Sequence, residues 1–192
     1  MVLSILPSHA DRFRLHPVGP RLAPIFCFAL LTASCALASF ALACATPFAA
    51  FAVLAAAMLP LRPALLVVTG AWLVNQTIGF GVLHYPVDGS TVAWGLVIGV
   101  AALLATVVSS AVLRTLPQGR TPLMLAITLV AAYATYELVL LAAMPALGGE
   151  GAFTAAIVAR IGLTSAAWLA GLVAACEIIR LIDPFGRAIR NA

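Results

Sequence analysis

Four polar side chains interrupt long apolar runs in this sequence, Asn75, Gln76, Glu137 and Arg160, and their types bound the chemistry the chain can host. Two amides, a carboxylate and a guanidinium can hold a polar solute by hydrogen bonds and charge, or pair with one another, and the carboxylate could serve as a base. The stretch from Asn75 to Gly89 (NQTIGFGVLHYPVDG) is the most unusual, mixing amide, glycine, aromatic, His84 and Asp88 where a plain apolar helix would be aliphatic. Gly79 and Gly81 permit close backbone approach or local unwinding, and Pro86 ends any helix before it. His84 is the one histidine beyond the first 16 residues; an imidazole there could ligate a metal or switch charge near neutrality, or be a solvated turn residue. Tyr85 and Trp94 flank this stretch and offer flat apolar walls, although interfacial aromatic belts also account for such residues.

The inventory excludes more than it supplies. All ten basic residues are arginine, so a phosphate-loop lysine, a Schiff base and a Ser-Lys dyad are impossible. No HExxH, CxxC or CxxCH motif occurs, and no histidine lies within an apolar run to pair with a serine or hold a haem. Cys27, Cys35, Cys44 and Cys176 lie in or beside apolar helices and read as small core residues. These absences predict a non-enzyme without a cofactor of its own; Glu137 acting as a base is the remaining enzymatic alternative. The net charge of +4 does not point to nucleic acid, because the arginines form no basic stripe.

The elements that must position these groups follow from composition. Of 192 residues 64% are hydrophobic and 8% charged, against about 25% charged in soluble domains, so the chain is expected to be an all-α integral membrane bundle. Apolar runs punctuated by Pro, Gly and charge predict helices near 23–44, 47–61, 63–83, 92–113, 121–145 and 152–182. The second, bracketed by Pro47 and Pro60, is short for a span and could be a half-span. Arg12, Arg14 and Arg21 before an apolar run ending in Ala43, Cys44 and Ala45 imitate a secretory signal, but the further spans favour a retained first helix. With six crossings, nine of the ten arginines fall at ends on one side: 12, 14 and 21, then 62, then 114 and 120, then 180, 187 and 190. The other side carries only His84, Asp88 and Glu150. Under the positive-inside rule both termini are therefore expected in the cytoplasm, with an N-terminal arm over 1–22, a membrane domain over 23–183 and a tail over 184–192.

Glu137 stands eight residues before its expected helix end and Arg160 eight after its expected helix start, both ~12 Å below the outer surface. Asn75 and Gln76 are expected at a similar level. Two readings stay open: a Glu137–Arg160 ion pair locking the last two helices, with the amides bonding between helices, or a pocket lined by some of these groups. Ala29 and Ala33 give the first helix a small-residue face on which a partner helix could dock, a pattern nearly automatic in an Ala-rich helix.

The six-span plan, the Ala-rich first helix and an outward polar pocket resemble the S-components of energy-coupling factor (ECF) vitamin transporters. Asn75-Gln76 with Gly79-Phe80, then Tyr85-Pro86, then Trp94-Gly95 and Gly99, is similar to the solitary cobalamin-specific S-component-like proteins of proteobacteria. The likeness of plan covers most of the chain, and that of residues about 75–101. It implies a substrate-binding component for uptake of a vitamin-like small molecule, with cobalamin or a related corrinoid first. It also implies residence in a bacterial inner membrane and, as partners, an ECF transmembrane subunit with its ATPases. In that family a cysteine near the third helix can bind the cobalt; here no cysteine lies between Cys44 and Cys176, and His84 is the expected substitute. Asn75, Gln76, His84, Tyr85, Asp88, Trp94, Glu137 and Arg160 are the expected substrate-binding residues. The rival expectations are an accessory subunit of a membrane complex, whose polar cluster only holds helices together, and a small metal-ion permease.

Overall fold

Proline placement divides the first half of the chain into its helices. The computed structural model describes residues 15, 17–42, 46–116 and 121–182. Arg12, Arg14, Arg120, Arg187, Arg190, Cys44, most of the N-terminal arm and the tail over 184–192 lie outside them. The elements are α1 (Ala23–Leu42), α2 (Phe48–Met58), α3 (Leu61–Thr77) running into one π-helical turn (Ile78–Val82), α4 (Gly89–Thr115), α5 (Thr121–Leu147), a 3-10 turn (Glu150–Phe153) and α6 (Ala155–Ile182). Pro47 and Pro60 stand at the N-caps of α2 and α3, and Pro63 lies in the first turn of α3, where the amide lacks an intrahelical partner anyway.

Five of the helices are long and apolar enough to cross a membrane: α1, α3 with its π-turn, α4, α5 and α6. The chain is therefore a multi-pass membrane protein by helix length and composition, and no strand occurs among the described residues. α2 is different. Its 11 residues measure ~16 Å, about half a ~30 Å hydrocarbon core. Every one of them is buried, with none more than 8% exposed. It forms the centre of the bundle, packed by α4, α5, α3 and α6 and more lightly by α1. Phe48 and Phe51 meet edge to face within it at 5.8 Å.

Pairwise contacts fix the helix directions. Cys35 bonds to Ala71, and Asn75, one turn beyond Ala71, bonds to Ser39, one turn beyond Cys35, so α1 and α3 run parallel. Trp72 lies against Gly99 and Gln76 against Gly95, so α3 and α4 run antiparallel. Cys176, late in α6, lies close to Cys27, early in α1. Together these place Arg21, Arg62, Arg114 and Arg180 at one end of the bundle, with His84 and Asp88 at the other. At the arginine end of α6, Arg180 pairs with Glu177 one turn back at 2.7 Å.

Candidate functional site

At the end opposite the clustered arginines, two amides of α3 are drawn into a network. Asn75 Nδ2 donates to Ser39 Oγ at 2.9 Å and to Thr46 Oγ1 at 3.0 Å, tying α3 to α1 and to the approach to α2. Ser39 in turn donates to the Cys35 carbonyl at 2.8 Å, and the Cys35 thiol donates to the Ala71 carbonyl at 3.1 Å. Gln76 Nε2 donates to Asn75 Oδ1 at 3.1 Å. On the other flank, Trp72 Nε1 donates to the Gly95 carbonyl at 2.9 Å. Gly95 and Gly99, four residues apart on α4, make that approach possible: a β-carbon on Gly99 would stand 2.7 Å from the Trp72 indole, and one on Gly95 would collide with Gln76 Oε1.

Directly beyond this network α3 loses its regular hydrogen bonding. The Leu83 amide reaches back to Ile78 at 2.9 Å to close the π-turn, and the Tyr85 amide bonds to the Gly79 carbonyl at 3.0 Å. Between them His84 has φ +53°, the one non-glycine residue in the left-handed region among the described residues, a conformation uncommon for non-glycine residues that histidine adopts more readily than most. The Tyr85 ring folds back over Gly79, where a β-carbon would stand 2.8 Å from it, and meets Phe80 edge to face at 6.4 Å. His84 is exposed, and no group of three metal-ligating side chains occurs among the described residues. Asp88 caps α4: it accepts from the Thr91 amide at 2.8 Å and from the Thr91 hydroxyl at 3.1 Å. Those bonds hold its carboxyl below the usual carboxylate range. Trp94 stacks at a tilt on Phe153, 6.5 Å away, with Gly149 against its ring, so the start of α4 meets the α5–α6 turn.

Glu137 and Arg160 belong to a separate seam, between α5 and α6. No ion pair links them among the described residues, and Arg160 is exposed. The bridge is instead Tyr133, whose hydroxyl donates to the Val158 carbonyl at 2.6 Å. Glu137, one turn further along α5, lies beside that hydroxyl, and its Oε1 is buried without a hydrogen-bond partner. The hydroxyl oxygens of Ser110 and Ser165 share that condition but carry no charge. Tyr133, Glu137 and Arg160 make no hydrogen bond or ion pair to Asn75 or Gln76 among the described residues. The structure thus brings Asn75 and Gln76 together, sets Tyr85 just beyond them and Trp94 against the other turn, and keeps Glu137 apart.

Sequence reasoning did not anticipate that Ser39 and Thr46 receive Asn75, or that Trp72 spans to α4. The Gly95-xxx-Gly99 spacing was the available signal for that close approach. A cavity of about 330 Å³ opens beside it, lined by residues including Val68, Trp72, Leu96, Gly99 and Leu103, and none of the eight expected site residues lines it. Ala29 and Ala33 on α1 are exposed. Comparison with protein families, curated proteins and solved structures finds no match for this chain.

Proposed function

We propose that this chain is a six-crossing protein of a bacterial inner membrane that captures a vitamin-like small molecule at the end whose connections carry no arginine, outside the cell. The parallel run of α1 and α3 supports six crossings, because α2 must then carry the chain back between them. The arginines gathered at the other end support a cytoplasmic location for both termini. The observation that carries the capture reading is the irregular end of α3: a π-turn, a left-handed His84 and a folded-back Tyr85, set directly above Asn75 and Gln76. A bundle that only needed to pack would gain from a regular helix there, and π-turns and strained residues concentrate at functional sites.

In this reading Asn75, Gln76, His84, Tyr85, Asp88 and Trp94 line or gate the site, and a corrinoid is the first candidate because His84 can ligate cobalt. Release follows a conformational change, either against an ECF transmembrane subunit driven by ATPases, docking on the Ala29 and Ala33 face of α1, or unaided. One observation favours the accessory-subunit reading: the Asn75 amide is fully engaged within the bundle, with both donors and its oxygen in use. Binding of a vitamin panel to the purified protein, cobalamin and cobinamide first, separates the two. Capture predicts tight binding with a visible spectral change that His84→Ala abolishes; no binding by any compound favours the accessory subunit.

A further inference from the structure

We propose that the groove between α3 and α4 binds an anionic phospholipid of the leaflet at the arginine end, with one acyl tail in the groove and the phosphate held by Arg62 and Arg114. Beside Trp72 the two helices leave a cavity of about 330 Å³. Leu96 and Val100, which line it, are exposed, so it opens on the outer surface of the bundle, where both helices are apolar enough to meet hydrocarbon. Its two polar side chains have no proton left to give: the Thr69 hydroxyl donates to the Leu65 carbonyl at 2.8 Å, and Trp72 Nε1 donates to the Gly95 carbonyl at 2.9 Å. The rest of the lining is aliphatic or glycine. An ordered water needs ~2–4 polar partners, which the Thr69 oxygen alone does not supply, whereas a run of methylenes needs none.

Two arginines stand under this groove. Arg62, in the first turn of α3, is seven residues before Thr69, and Arg114, in the last turn of α4, is eleven after Leu103. Those spacings are close to two and three full turns, so each arginine returns to the face that lines the cavity. Val68 and Trp72 stand six and ten residues beyond Arg62, ~9 and ~15 Å along the helix and within the ~15 Å of hydrocarbon that one leaflet supplies. With Trp72 on Gly99 and Gln76 on Gly95, Arg62 comes level with Ser109, five residues from Arg114. That is a gap of ~8 Å along the axis, which two long guanidinium arms can close on one phosphate. Both arginines are exposed, and neither pairs with an acid among the described residues, whereas Arg180 at the same end is held by Glu177. Glu177 is the one acid at that end among the described residues, so a second copy of the chain has no free carboxylate there to set against Arg62 and Arg114. Basic side chains at the mouth of a groove between membrane helices suit an anionic headgroup, and the apolar cavity above them suits its tail.

The test uses the full chain, delipidated in mild detergent, and follows its melting temperature as phosphatidylglycerol, phosphatidylcholine of the same acyl chains, or inorganic phosphate is added. Phosphatidylglycerol is expected to stabilise at concentrations about tenfold or more below those at which phosphatidylcholine does, and inorganic phosphate not at all. Arg62→Gln and Arg114→Gln should each weaken the phosphatidylglycerol response about fivefold, while Arg180→Gln, on a helix away from the groove, leaves it unchanged. Val100→Trp, which fills the cavity from an exposed position, should weaken it about tenfold or more with the melting temperature in detergent alone unchanged; should that variant melt low, Leu96→Phe carries the comparison. Equal responses to the two lipids mean nonspecific hydrocarbon contact, a response to inorganic phosphate equal to that of the lipid means an anion site alone, and a preference that survives filling of the cavity means headgroup attraction alone. Each of these overturns the proposal, as does a dimer in detergent that Val100→Trp dissociates, which would give the groove to a second copy. None of these results touches the capture reading, which the vitamin panel tests separately.

Discussion

Two seams of the same bundle handle intramembrane polar groups in opposite ways. Between α1, α3 and α4, each long polar side chain meets a partner on a neighbouring helix or beside it, and two glycines let the backbones close in. Between α5 and α6, one tyrosine bridges the helices and a carboxyl oxygen is left buried without a donor. The first arrangement resists change because every group moved strands another. The second is held by few interactions, since α5 and α6 pack only lightly on each other. The difference marks the first seam as the fixed part of the molecule and the second as the adjustable part.

The sharpest way to break this contrast is steric. Gly99→Leu forces a side chain into the Trp72 indole and should destabilise by about 3 kcal/mol, whereas Gly162→Ala, with 3.0 Å to the end of one tyrosine ring, should cost under about 1 kcal/mol because the ring can shift. Thermal or denaturant unfolding in detergent compares the two; equal losses would mean the seams are equally tight. A middle-sized effect comes from hydrogen bonds. Asn75→Leu removes the bonds to Ser39 and Thr46 and the acceptor of Gln76 and should cost about 1–2 kcal/mol, while Tyr133→Phe removes one bridge and should cost about 0.6 kcal/mol. A double-mutant cycle of Asn75 with Ser39 checks that the larger value is coupling between helices.

The smallest effect is at the exposed cap of α4. Asp88→Ala should lower stability slightly at neutral pH, and the sign of its pH dependence follows from the depressed carboxyl. A carboxyl held lower in the folded than in the unfolded chain stabilises fully above the ordinary carboxylate range, and that contribution fades as pH falls through it. Wild type and Asp88→Ala should therefore converge in acid; a gap that stays constant with pH would assign the effect to the helix propensity of the substituted residue rather than to the cap.

Much of the fold was legible from the chain alone. The expected ranges 63–83, 92–113 and 121–145 meet helices at 61–82, 89–115 and 121–147, because proline, glycine and charge punctuate apolar runs of span length. The Asn75–Gly89 stretch was expected to be irregular from its glycines and Pro86, and it contains the π-turn and the left-handed His84.

The faces of the helices were not legible. In a bilayer the solvent is as apolar as the core, so the polar stripe that tells inside from outside on a soluble helix is missing. α5 is apolar nearly all round; the four-residue spacing puts Tyr133 and Glu137 on one face, but nothing in the sequence says that this face meets α6 while Arg160 turns away. The sequence by itself determined a multi-pass helical membrane protein, the positions of its long helices and which few polar residues lie within them, because hydrophobic length and charge are local properties. Only the tertiary structure decided that the short α2 is the buried centre, that Asn75 is claimed by Ser39 and Thr46, and that Tyr133 beside Glu137 reaches across to Val158. Those outcomes depend on which faces meet, and packing of small against large side chains across the bundle settles that.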